Sequence, residues 1–271
     1  MAPLLRNRVF RIVAGADILQ QVGIWIRNMA LLFYVMEQTS NNPTAVALLS
    51  ALEYLPIFVF SLIGGTFADR WNPKRTVVIG DALSAVSVAV ILGLVLGGWW
   101  QAAFAATVVS AVVSQFSQPS SAVLFKRHVP DEHVSTAIGF TQSLAALFMI
   151  LGPMLGTLVY VRFGIAYSLA ALVAIFVLAS LLQLLLPSSS RPQTGEPKPS
   201  PLRDLRDGFR YVAGRPNLRL TAVMFLLAGL ASGIVAPLDV FVVMERLGLQ
   251  KEAVQWFAML EGTGLLVGGA L

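Results

Sequence analysis

Seven polar or ionisable residues stand in stretches otherwise made of apolar side chains: Asp17, Gln20, Gln21, Arg27, Asn28, Glu53 and Glu261. Charge inside a bilayer is expensive, so such residues are read first as parts of a substrate or proton pathway. On a helical wheel Asp17, Gln21 and Asn28 fall within about 40° of one another, and Gln20 and Arg27 widen the arc to roughly 120°. One face of that helix is therefore wet. Glu53 sits about ten residues into the next apolar run, near mid-depth, and Glu261 takes the equivalent place in the last one. A buried carboxylate there can carry a proton, unless it is tied to Arg27 in a structural ion-pair network that also includes Asp17 and holds no ligand. Asp81 and Asp239 lie nearer the ends of their runs and are weaker candidates.

Other chemistries find little support. The chain has no cysteine, which excludes a disulfide framework, a thiolate metal site and a cysteine nucleophile. It has no phosphate-cradling glycine loop and no His-Glu-x-x-His, so neither an enzyme nor a cofactor is expected. His128 and His133 flank Asp131 and Glu132, but a solvated charged loop explains this group better than a metal cluster, and no metal site is expected.

The elements that must hold the polar residues are membrane helices. Charged residues are 12% of the chain against 56% hydrophobic, with mean hydropathy +0.75, whereas a soluble domain carries about a quarter charged. The net charge of +5 is spread in short clusters between apolar runs, which reads as membrane topology rather than nucleic-acid binding. A bilayer core about 30 Å thick needs roughly 20 helical residues. Eight runs qualify: Val9–Met36, Thr44–Ala68, Arg75–Leu96, Trp99–Ser117, Val134–Tyr160, Ala166–Leu186, Leu218–Met244 and Ala253–Leu271. The fourth can extend past Pro119. The first is too long for a signal peptide and should remain in the mature protein.

Orientation follows from the basic residues of the loops. Fifteen of the 19 Lys and Arg fall on one side, including Arg70, Lys74 and Arg75; Arg162, Arg246 and Lys251 fall on the other, and Arg27 is intramembrane. The two sets alternate with the spans, which puts the N-terminus in the cytoplasm. The loop 187–217 opens with serines and prolines that cannot build a packed core. It continues with Leu202, Leu205, Phe209 and Val212 at helical spacing between Arg203, Asp204, Arg206, Asp207 and Arg210, a short amphipathic helix suited to anionic lipid. The expected domains are thus a six-helix bundle over 1–186, a cytoplasmic linker over 187–217 and two helices of a second bundle over 218–271.

A shift of 208 residues aligns Phe33 with Phe241, Val35-Met36-Glu37 with Val243-Met244-Glu245, Ala45-Val46 with Ala253-Val254, and Leu52-Glu53 with Leu260-Glu261. Eight of the 21 positions from Phe33 to Glu53 are identical. The copies are six helices apart, an even number, so both cross in the same direction. This is a parallel repeat about an axis along the membrane normal, with a site expected between the halves.

Between the second and third runs stands Gly65-Thr66-Phe67-Ala68-Asp69-Arg70-Trp71-Asn72-Pro73-Lys74-Arg75. It resembles the cytoplasmic-loop signature of the major facilitator superfamily. The resemblance implies an all-α helix bundle and a conformational lock at Gly65, Asp69, Arg70, Lys74 and Arg75. Gly23-Ile24-Trp25, Ala30-Leu31 and Asn42-Pro43-Thr44-Ala45 resemble the drug, macrolide and siderophore exporters of that superfamily. In the fifth run, Gly152-Pro153-Met154-Leu155-Gly156-Thr157 is similar to the Gly-Pro signature of its antiporters, although Phe148 and Thr157 replace glycines of the pattern. Pro153 should kink the helix while Gly152 and Gly156 admit a close neighbour; packing alone explains these residues as well as antiport does.

The resemblance therefore implies a multi-pass inner-membrane secondary transporter, exporting hydrophobic or amphipathic small molecules by proton-coupled alternating access, with membrane lipid as its other partner. An importer of the same fold is a rival reading. So is a truncated or non-transporting scaffold, since the chain stops after eight runs where the resembled superfamily has twelve helices.

Overall fold

The computed structural model describes residues 2–68, 71–187 and 201–270. A short α1 (Ala2–Arg6) leads into α2 (Arg8–Gln38), followed by α3 (Pro43–Ala68), α4 (Pro73–Leu96), α5 (Ala102–His128) and α6 (Asp131–Leu184). Then come α7 (Pro201–Ala213), α8 (Pro216–Val235), α9 (Asp239–Phe241) and α10 (Val254–Ala270). Among the described residues the regular structure is entirely helical. Four helical stretches are long and apolar enough to cross a membrane: Arg8–Gln38, Pro43–Ser61, Pro73–Leu96 and Asp131–Leu184. At 54 residues the last is long enough for two crossings.

Local chemistry sets the helix ends. Asn7 caps α2, its Oδ1 accepting the Phe10 N–H at 3.0 Å, while its Nδ2 donates to the His128 carbonyl at 2.9 Å and ties α2 to the end of α5. Asn72 caps α4 in the same way, accepting the Arg75 N–H at 3.2 Å. Pro73 follows at the first helical position, where its missing N–H is not needed. The Asn-Pro turn of the loop signature is thus a helix start.

Three boundaries differ from the sequence reading. α5 runs on through Pro119 to His128, some ten residues beyond the expected end, because its polar Ser and Gln lower hydropathy without lowering helicity. The fifth and sixth runs meet at one residue rather than a loop: Gly164, at φ 73° and ψ −174°, separates the arms of α6 in a conformation closed to side-chain-bearing residues. The seventh run is regular only to Val235; Ala236–Leu238 is 3-10 and Val242–Arg246 is a π turn. Pro237 supplies the reason, since it lacks the N–H that would continue the α ladder.

Apolar side chains gain little by moving from lipid to protein, so helices in a membrane associate through close packing. Here α2 lies along α6, α4 packs on α5 and α6, α3 on α5, and α10 on α6. A Cβ on Gly152 would fall 2.2 Å from the Trp25 ring, and one on Gly156 would fall 2.3 Å from the Trp25 carbonyl oxygen. Both glycines thus serve the close approach of α2. Gly262 meets Met149 and Ile150 in the same manner, seating α10 on the first arm of α6.

Candidate functional site

The wet face of α2 divides into two polar layers. In the outer one, Arg27 NH2 pairs with Glu53 Oε1 at 2.8 Å, and its Nε and NH2 donate to Asn28 Oδ1 at 3.0 and 2.7 Å. Arg27 is only 5% exposed. Asn28 and Glu53 line a cavity of about 560 Å³ between α2 and α3 on one side and Val235–Glu261 on the other. Trp25, Tyr54, Asp239 and Glu261 share its wall. Glu53 and Glu261, equivalent in the internal repeat, therefore face one space from opposite halves. The pairing of Glu53 with Arg27 is the ion pair that the sequence left open, without Asp17.

The inner layer holds Asp17, Gln20 and Gln21, which line a second cavity of about 450 Å³ together with Gln115, Gln118 and Gln142. Behind it, Gln20 Nε2 donates to both carboxylate oxygens of Asp81 at 2.9 Å. Asp81 is 3% exposed, and among the described residues it has no ion-pair partner. Its place near the end of an apolar run earned Asp81 low weight; here it is buried on α4 beside Ser84, three residues further on and also buried, and Gln20 links it to α2.

A third cluster was missed. At the C-terminal end of α2 Glu37 accepts from Tyr160 Oη at 2.7 Å and from Lys251 Nζ at 2.8 Å, joining α2, α6 and the turn before α10. Its signal was scarcity, because Lys251 is one of three cations on that side. Of the expected lock, Gly65 lies in α3, while Asp69 and Arg70 fall outside the described residues. Lys74 Nζ donates to the Leu186 carbonyl beyond the end of α6, and Arg75 is exposed. Among the described residues there is no group of three potential metal ligands.

Membrane-length helices around a largely apolar cavity with carboxylates in its wall are features found in membrane carriers. The chain belongs to the Major Facilitator Superfamily, whose pattern it matches over residues 14–271. It is 27% identical to the uncharacterized MFS-type transporter YkuC of Bacillus subtilis, over 99% of this chain and 65% of that protein. It is also similar to macrolide efflux protein A of Streptococcus pyogenes, at 24% identity over 74% of this chain and 50% of that one. With the enterobactin exporter EntS of Escherichia coli it shares 26% identity, over 85% and 55% of the respective chains. In fold it resembles a D-xylose–proton symporter, with TM-score 0.59 at 12% identity, over 94% of this chain and 65% of that one. The chain thus spans half to two thirds of the length of the relatives it matches. It is a multi-pass membrane protein of a transporter family.

Proposed function

We propose that this chain works as a proton-coupled exporter of hydrophobic or amphipathic small molecules, by alternating access between a bundle over 1–186 and helices over 218–271, with 187–217 as the cytoplasmic linker. The observation that carries the reading is the cavity shared by Glu53 and Glu261, apolar and aromatic over much of its wall, which suits an amphipathic substrate. Glu37, held by Tyr160 and Lys251, is an outer latch between the halves in this conformation. The cytoplasmic loop signature around Asp69, Arg70, Lys74 and Arg75 opposes it on the inner side. Kinship with exporters of a macrolide and of enterobactin supports the outward direction and the amphipathic substrate class. The N-terminus and the Arg-rich α7 lie on the cytoplasmic face of the inner membrane, α7 against anionic lipid.

The test uses the full chain in reconstituted vesicles loaded with a fluorescent amphipathic dye. Dye movement that depends on the protein and on an imposed proton gradient supports the proposal; movement equal to that of empty vesicles, across a dye panel, sinks it. Single cysteines at Ser40 or Gly98 should react with an impermeant thiol reagent from outside the cell, and one at Asn72 should not.

A further inference from the structure

We propose that Asp81 and Asp17 form a proton-binding site in which the two carboxyl groups share one proton, held by Gln20 and Gln183 and separate from the cavity between the halves. As a coupling site it deepens the transport reading and rests on it. As a proton site it stands on its own geometry.

The surroundings of Asp81 are polar but carry no positive charge. From α2 it is faced by Gln20, whose amide nitrogen donates to both its oxygens at 2.9 Å, and Asp17 stands one turn before Gln20 on the same side of that helix. From α6 the amide of Gln183 is directed at the same carboxyl, and Ser180 Oγ donates to the Val78 carbonyl one turn away at 3.1 Å. From α5 Ser117 packs on the neighbouring Gly80. Among the described residues no Lys, Arg or His pairs with either aspartate. Two adjacent carboxylates without a cation cannot both stay ionised cheaply in a low-dielectric interior.

An independent feature points to what is missing. Gln183 is 3% exposed, yet its Oε1 has no hydrogen-bond partner. A buried acceptor left unpaired is costly; with the Gln183 amide turned over, Oε1 faces the carboxyl and the donor that satisfies it there is a carboxylic O–H. One proton thus removes the like-charge repulsion, cancels a buried charge and partners the orphan acceptor. A sodium ion fits less well, because it needs oxygen ligands and Gln20 turns its nitrogen toward Asp81. The site also has a route to water: Asp17 and Gln20 line the inner cavity, whereas Asp81 lies behind it. Protons therefore enter through Asp17.

The experiment is infrared spectroscopy of the purified full chain in lipid nanodiscs at pH 7, following the carboxylic C=O stretch and its shift in D2O. Wild type should show a protonated band equivalent to one carboxyl, and Glu132→Gln, at an exposed acid remote from both cavities, should keep it. Asp81→Asn should lose it, because Asp17 alone then ionises. Asp17→Asn, at the less buried member, should lose at least half of it and guards against misfolding of the first variant. The assignment is overturned if wild type has no such band, if the band survives in the double variant, or if sodium at fixed pH displaces it, which would make this a sodium site. Failure of the transport reading would leave the band untouched, so the two failures are distinguishable.

Discussion

About 15 Å of α2 separates two layers that meet the cost of intramembrane charge in opposite ways. At Arg27 the charge is matched: a buried guanidinium has one carboxylate at 2.8 Å and a neighbouring amide oxygen that accepts from its Nε and NH2. At Asp81 it is not matched: the carboxyl accepts from the Gln20 amide, and among the described residues no cation pairs with it. A matched pair has little reason to exchange protons, because either partner alone would be stranded. An unmatched carboxyl gains by taking a proton and loses little by releasing it when water arrives. The first layer suits a fixed cavity wall and the second a titrating site.

The largest effect should come from disrupting the matched layer. Glu53→Gln leaves Arg27 buried without its counter-charge and should destabilise the chain by about 3–5 kcal/mol, the range found when one member of a buried pair is removed. Thermal unfolding in detergent measures this; a loss below about 1 kcal/mol would show that the pair is not a structural unit. Slightly less is expected from Gly156→Ala, whose Cβ meets the Trp25 backbone at 2.3 Å and must push α2 away from α6. It should cost about 1–3 kcal/mol as an overpacked interface and, because α2 carries both layers, should impair both, whereas an effect on only one layer would separate them mechanically. Asp81→Asn should cost under about 1 kcal/mol at pH 7, since it mimics the protonated acid. A loss as large as that of Glu53→Gln would mean that Asp81 is ionised and paired. Smallest in stability is Lys251→Ala, which removes a half-exposed ion pair with Glu37 worth at most about 1 kcal/mol. Its readout is access: a single cysteine at Ser50 should react faster with an impermeant reagent from outside once the latch is gone.

Much of the scaffold was legible because bilayer thickness imposes a length on every crossing, and α2, α3 and α4 begin and end within two residues of the runs read from the sequence. The failures have local causes. Hydropathy undercounted α5, where Ser114, Gln115, Ser117 and Gln118 interrupt a helix that never breaks. A single glycine, Gly164, did the work assigned to a loop. The outer layer was readable because the repeat marked Glu53 and Glu261 and the wheel marked Arg27. Asp81 was not, since no periodicity on α4 alone reveals which residue of α2 will lie against it; that depends on a crossing geometry set by Gly152, Gly156 and Trp25. The Glu37 latch joins residues 214 positions apart and belongs to one conformation of the chain.

The contrast between the layers is tested most directly by dye flux in reconstituted vesicles, comparing Asp81→Asn with wild type under an imposed proton gradient and without one. In wild type the gradient should accelerate flux, while Asp81→Asn should retain a slower flux that is indifferent to the gradient. Full gradient dependence in Asp81→Asn would contradict the assignment of the proton to the inner layer.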